Sequence, residues 1–400
     1  MELAIDRLLG DPQLIQKLNG KRVALLAHPA SVTRNLVHTA DALIASGKID
    51  LRAAFGPQHG MRGDKQDNMI ESEDYVDPVL KFPVFSLYGK VRRPTPHMLD
   101  TFDVVLVDLQ DVGCRIYTFL TTLFYMLEEC APLGKSVWVL DRPNPAGRPI
   151  EGTILESGYE SFVGHAAMPM RHGMTLGECA KWFVAHKKLD IDLQVIEMKG
   201  YDPEVGPGFG WPLGELSWVN PSPNATTLSM ARAYSGTVLI EGTHLSEGRG
   251  TTRPLEVLGA PQLKMNEILA DMRSFAPQWL KGCDLRICHF EPTFQKHVGK
   301  TCNGFQIHVD HQAYDPEQFK PYRLVTLWLK AIRKIHPEYD IWRSFTYEYE
   351  SARLAIDLIS GGTFLREWVD SASSTPEQFD ARLMADEAAW AKARQGFLLY

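Results

Sequence analysis

The chain lacks most of the features that mark specialised protein classes. It has no run of about 18 apolar residues, so no transmembrane helix is expected. A secretory leader needs a basic start and an unbroken apolar stretch. The N-terminus instead scatters Glu2, Asp6, Arg7 and Asp11 among its apolar positions, and the chain as given reads as cytoplasmic. Cysteines are few: Cys114, Cys130, Cys179, Cys283, Cys288 and Cys302. None forms a CxxC pair, which removes the usual zinc and thiol-redox signatures, and most are expected to be buried as small hydrophobes. There is no long basic block and the net charge is −7, which argues against a phosphate-reading face and against nucleic acid as a partner. A small anionic ligand stays compatible, because a few local arginines outweigh a global balance. GxSxG, HExxH and P-loop patterns are missing, and the turn "HPASVTRN" after the first strand-like run has no dinucleotide-binding glycines.

What is present is an ordinary globular composition, 44% hydrophobic and 23% charged, over 400 residues. That length predicts two domains. In the first 150 or so residues, strand-like and helix-like segments alternate. "RVALLAHPA", "LRAAF", "FPVFSLYG", "FDVVLVDLQ" and "SVWVL" read as strands. "VHTADALIASG" and "YTFLTTLFYMLEECAPLG" read as helices, the first closed by Gly47. Thr175 and Glu178 form a capping-box pattern at the start of a further helix. Alternation of this kind predicts a parallel, Rossmann-like α/β sheet over residues 1–232. Residues 233–400, with strand-like "VLIEG" and "CNGFQIHVD" and amphipathic "YRLVTLWLKAIRKI", predict a smaller α+β domain.

In parallel sheets, ligands gather where strands end at their carboxyl side. The stretch "FGPQHGMRGDKQD" puts Gln58, His59, Arg62, Asp64 and Asp67 directly after a strand. "VDLQDVGCRIYTF" does the same with Asp108, Asp111, Arg115 and Tyr117, and "LDRPNPAGRPIEG" with Asp141, Arg142, Asn144 and Glu151. Asp111 could equally be a helix cap, and Asp141 a structural salt-bridge partner. "EGTHLSEGRGTTRPLE" concentrates Glu241, His244, Glu247, Arg249 and Arg253 in the second half. Tyr88, Tyr117, Trp211 and Trp218 are candidates for stacking on a sugar ring, although large aromatics are more often core.

Taken in order, "FGPQHGMRGDKQ", "VDLQDVGCRIYTF", "VLDRPNPAGRPIEG", "PMRHGMTLGE", "NPSPN", "GTHLSEGRGTTRPLEVLGAP", "PTFQKHVGKTCNGFQIHV" and "GFLLY" resemble the NamZ-like exo-β-N-acetylmuramidase family, from about residue 22 to residue 400. The resemblance implies a cleft between the two domains and release of N-acetylmuramic acid from the non-reducing ends of peptidoglycan fragments. Independently of the resemblance, no cofactor, no metal and no membrane partner are expected from the residues. Many members are exported, whereas no leader is recognisable here. In the family pattern "PEHG" a glutamate, the usual candidate for the catalytic acid, stands where this sequence has Gln58. Glutamine cannot titrate, so that role does not carry over.

Another acid would then be needed: Asp64, Asp108, Asp111, Glu241, Glu247 or protonated His59. The substrate's own N-acetyl group could instead assist, or the chain could bind a muramyl sugar without cleaving it. A metal-dependent hydrolase using His59, Asp108, Asp111 and Asp141 ranks below these. The expected catalytic set is His59, Asp108, Asp111 and Glu247. The expected substrate contacts are Gln58, Arg62, Asp64, Arg115, Tyr117, Asp141, Asn144, Arg171, His172, Glu241 and Arg249. Among these, Arg62, Arg115, Arg171 and Arg249 are candidates to fork onto the lactyl carboxylate of muramic acid.

Overall fold

The structure, a computed structural model, describes residues 1–63, 65–66 and 69–400. Strands β1 (Arg22–Ala27), β2 (Asp50–Gly56), β3 (Tyr75–Val76), β4 (Pro83–Ser86), β5 (Val104–Asp108), β6 (Ser136–Leu140) and β7 (Leu193–Ile196) form one sheet in the order β3-β4-β2-β1-β5-β6-β7. All neighbours are parallel except β3 against β4. Period-2 alternation sends Ala24, Leu26, Val105 and Val107 to one face and Val23, Leu25, Val104 and Leu106 to the other. Both faces are covered, which is why these strands read as unbroken apolar runs. From β1 the chain steps outward to β2 and β4, then returns to place β5 on the opposite side of β1. The crevice at such a switch point is where open α/β sheets bind ligands.

Strands β8 (Val257–Ala260), β9 (Asp284–Phe290) and β10 (Cys302–His308) form a second, antiparallel sheet in the order β8-β10-β9. Helices Met265–Phe275 and Pro321–Ile335 pack together beside it. The sequence "VLIEG" is not a strand: Val238–Gly242 forms a 3-10 turn continuing directly from helix Leu228–Thr237. Its β-branched residues are fully buried and Gly242 lies too close to the backbone of Ile356 for any side chain, so packing overrides strand propensity. The expected division between residues 232 and 233 falls inside helix Leu228–Thr237, and one apolar core runs through both halves. Strands β7 and β9 carry no apolar run that would have marked them in the sequence.

Polar ties also join the halves. Glu151 is fully buried and accepts hydrogen bonds from the backbone N–H groups of Tyr322 (3.0 Å) and Arg323 (2.9 Å). A carboxylate from the first half thus satisfies open donors at the start of helix Pro321–Ile335 and complements its dipole. At the other end of the chain, the Tyr400 hydroxyl donates to Asp141 at 2.9 Å. All six cysteines are free, and five are buried. Among the described residues no helix is long and apolar enough to cross a membrane. Glu151→Ala strands two buried N–H groups, and urea denaturation is expected to show a loss of about 2–4 kcal/mol. A loss below about 0.5 kcal/mol would mean that this cap does not tie the halves together.

Candidate active site

The strand β2 stops at Gly56-Pro57 for a steric reason. A Cβ on Gly56 would sit 2.6 Å from the backbone nitrogen of Met61, so the chain folds back tightly there. The turn closes with the Gly60 N–H donating to the Pro57 carbonyl (2.8 Å), and His59 takes a left-handed φ of 70°. This turn aims Gln58 and His59 into a cleft of about 510 Å³. Tyr117 and Thr118, after β5, line the same cleft, as do Ser222 and Asn224 from the loop between β7 and helix Leu228–Thr237. The second half contributes Glu241, Arg249, Tyr347 and Glu348.

Glu348 is the titratable centre of this cleft. It is only 8% exposed and lies in a turn where Glu348 (φ 45°) and Tyr349 (φ 69°) are both left-handed. Two successive non-glycine residues in that region carry strain of a kind that clusters at functional sites. Tyr88 donates its hydroxyl to both carboxylate oxygens, each at 2.9 Å. The Gln58 amide donates to Oε1 at 3.4 Å, and Thr118 fixes the amide's orientation by donating to its Oε1 at 2.7 Å. Burial pushes the Glu348 carboxyl up to about 7; the charge of Glu241 adds to the rise, while Tyr88, Arg92 and Gln58 oppose it.

Glu241, the second carboxylate, sits on the 3-10 turn Val238–Gly242. Arg249 donates to its Oε1 (2.5 Å) and Tyr347 to its Oε2 (2.8 Å). Arg249 also bonds Glu247 (3.1 Å), and Lys296 pairs with Glu247 at 2.7 Å. Burial raises the Glu247 carboxyl, but Lys296 and Arg249 outweigh burial and hold it below its ordinary range. The cleft therefore presents one carboxyl poised near neutrality beside one ion-paired carboxylate. A buried acid next to a carboxylate is the apparatus of glycoside hydrolysis.

The family model for the N-terminal part of the exo-β-N-acetylmuramidase NamZ matches residues 23–229, and the model for its C-terminal part matches residues 232–400. The chain belongs to the NamZ family. It is 37% identical, over 401 aligned residues, to the peptidoglycan β-N-acetylmuramidase NamZ of Bacillus subtilis (strain 168), covering 100% of this chain and 91% of that protein. Crystal structures of two DUF1343 family proteins from Bacteroides fragilis NCTC 9343 share the fold. One has a TM-score of 0.85 at 28% identity, the other 0.75 at 25%, and each alignment covers 100% of this chain and 98% of the other.

Of the expected residues, the cleft brings together Gln58, His59, Tyr117, Glu241 and Arg249. His59 Nδ1 lies 2.9 Å from the Lys65 carbonyl oxygen, which puts the ring proton on Nδ1. Glu247 lines an adjoining hollow. The other described residues do not line the cleft. Asp108 is fully buried in a forked ion pair with Arg142 and accepts from the Thr39 hydroxyl at 2.5 Å. Asp111 accepts from the Gly113 N–H (2.6 Å) and lies 3.5 Å from His172 Nε2. His172 also accepts from the Met174 N–H at 3.2 Å. Asp141 accepts from Thr175, the Gly177 N–H and Tyr400; burial pushes its carboxyl up to about 6. Asn144 braces its own proline-rich loop through Ala146, Gly147 and Met174.

Three of the four arginines proposed for the lactyl carboxylate are also engaged outside the cleft. Arg115 donates to the carbonyls of Thr153, Met168 and Ile359, and burial lowers it to about 10. Arg171 donates to the carbonyls of Ala146 and Phe319. Arg62 is on the surface, paired with Asp77 at 3.2 Å. Asp64 and Asp67 lie outside the described residues. Trp211 and Trp218 pack on each other at 5.0 Å. Among the described residues no group of three or more His, Cys, Asp or Glu side chains could hold a metal ion.

Sequence reasoning missed Glu348. It stands in "FTYEYE", a stretch without periodicity or turn glycines. The one available signal was the missing carboxyl at position 58, which leaves the acid to come from elsewhere in the chain. Asp108→Asn leaves the Arg142 charge buried with a weakened partner. It is expected to cost about 3–5 kcal/mol in urea denaturation while turnover per folded molecule stays within a few-fold of wild type. Full stability with abolished turnover would return Asp108 to the chemistry.

Proposed function

We propose that this chain is an exo-β-N-acetylmuramidase that removes N-acetylmuramic acid from the ends of peptidoglycan fragments, with Glu348 as the general acid. The observation that carries the assignment of the acid is the buried Glu348 carboxyl, raised to about 7 and hydrogen-bonded to Gln58 and Tyr88. Family membership supports the reaction class and substrate. Glu348 gives its proton to the glycosidic oxygen as the bond to the anomeric carbon breaks; a water then adds to that carbon and loses a proton to the Glu348 carboxylate, which restores the acid. Glu241, ion-paired to Arg249, faces the positive charge that builds on the sugar ring. Gln58 acts through its amide: anchored by Thr118, it turns an N–H towards Glu348 and fixes the acid's position. A non-catalytic sugar-binding protein is the competing reading, and it rests on Gln58 alone. Glu348 beside it supplies the titratable group that glutamine lacks.

The acid must be protonated to work, so kcat/KM on a chromogenic N-acetylmuramide is expected to fall as pH rises through about 7. Gln58→Glu would set a second carboxyl against the first. Two such groups cannot both ionise cheaply, so the pair retains a proton longer and the alkaline limb moves up by about one pH unit or more. An unmoved limb in Gln58→Glu, or no limb near 7 in the wild type, would remove Glu348 from the acid role.

The same group makes a stability prediction. Its folded-state pKa is raised from 4.5 to about 7, so between those values the folded chain keeps a proton that the unfolded chain has released. The contribution to stability is complete below about 4.5 and is lost as pH rises through about 7. Glu348→Gln is expected to be inactive yet more stable than wild type at pH 8, by up to about 3 kcal/mol, with little difference at pH 4. Equal stability of the two proteins at both pH values would show that burial does not perturb this carboxyl.

A further inference from the structure

Beside the cleft lies a wider hollow of about 880 Å³ that shares Glu241 and Tyr347 with it and adds Glu247, Lys296, Arg343 and Phe345. Among the described residues, three lysine or arginine side chains border the two spaces, and two are fully committed. Arg249 is paired with Glu241 and Glu247. Lys296 is paired with Glu247 and donates to the carbonyls of Ile240 (2.7 Å) and Thr243 (3.1 Å). Arg343 differs from both. Its guanidinium lies 4.0 Å over the Phe345 ring, and among the described residues it has no carboxylate partner. Its backbone N–H donates to the Gly242 carbonyl at 3.1 Å, which ties it to the turn carrying Glu241. Stacking on a ring occupies the face of a guanidinium and leaves its in-plane N–H fork available for a planar anion.

The geometry points to Arg343 as the residue that receives the carboxylate of an acidic sugar bound in this site, here the lactyl carboxylate of N-acetylmuramic acid. This assignment rests on the muramidase reading above. A neutral amino sugar offers an arginine in that place only uncharged hydroxyl or amide acceptors, whereas a carboxylate forms two parallel charge-assisted hydrogen bonds. Among the described residues, the ion pairs among Glu241, Arg249, Glu247 and Lys296 leave no other lysine or arginine bordering these spaces for the task. Arg343 would therefore set specificity without taking part in bond cleavage.

Calorimetric binding of N-acetylmuramic acid and of its lactyl methyl ester to the full chain isolates the charge. Wild type is expected to prefer the acid by about 10–100-fold. Arg343→Met keeps an unbranched chain on Phe345 and is expected to bring the two ligands to within a few-fold of each other. Arg343→Lys keeps part of the preference, because an ammonium supplies charge without the fork. Urea denaturation checks that each variant is folded, and Arg343→Gln replaces Arg343→Met should the latter fail. An acid preference that survives loss of the guanidinium overturns the assignment, as does a wild type with no preference. Turnover of a chromogenic N-acetylmuramide is read in parallel. Acid-selective binding without turnover overturns the glycosidase reading and leaves Arg343 in place; turnover with the preference intact in Arg343→Met overturns Arg343 alone.

Discussion

A carboxyl buried beside another carboxylate is expensive unless it keeps its proton, and the Glu348 environment is organised around that fact. Tyr88 and Gln58 hold the group from the first half of the chain, while Glu241 presses on it from the second. Neither half makes this site alone. The strand order brings the ends of β2 and β5 to the switch point of the sheet, and the continuous core presses the turn at residues 347–350 onto them. Joining the halves through Glu151 and Tyr400 thus serves the geometry of the acid as well as stability.

Charge balance around the second carboxylate follows the same logic. Glu241 and Glu247 would repel each other and Glu348 if left unpaired. Arg249 bridges the two, and Lys296 completes the chain. Removing one partner from such a buried network leaves the rest uncompensated, so these residues are expected to fail together and not one by one. Position 58 shows the reverse arrangement. The amide there is neutral and satisfied on both sides, so it can touch the acid without competing for its proton.

Much of the fold was legible because its signals are local. The apolar runs of β1, β2, β5 and β6, the Thr175–Glu178 capping box and the αL Gly47 all depend on neighbours in sequence. The segment "VLIEG" was misread because its conformation is set by the preceding helix and by packing on Ile356. The candidate cleft was legible at the level of segments: Gln58, His59, Tyr117, Glu241 and Arg249 line one space. Individual roles were not, since a carboxylate such as Asp108 or Asp141 looks the same in sequence whether it faces a ligand or braces a loop. Glu348 and Arg343 escaped notice because a long-range contact, with no local pattern, gives each its environment.

The most direct measurement is the leaving-group dependence of turnover in Glu348→Gln. A good leaving group such as dinitrophenolate departs without a proton, whereas a sugar needs one. If Glu348 is the acid, the variant loses about 10²–10⁴-fold on an N-acetylmuramyl disaccharide and far less on the dinitrophenyl glycoside. An equal loss on both substrates would contradict the assignment and leave Glu348 as a residue that only shapes the cleft.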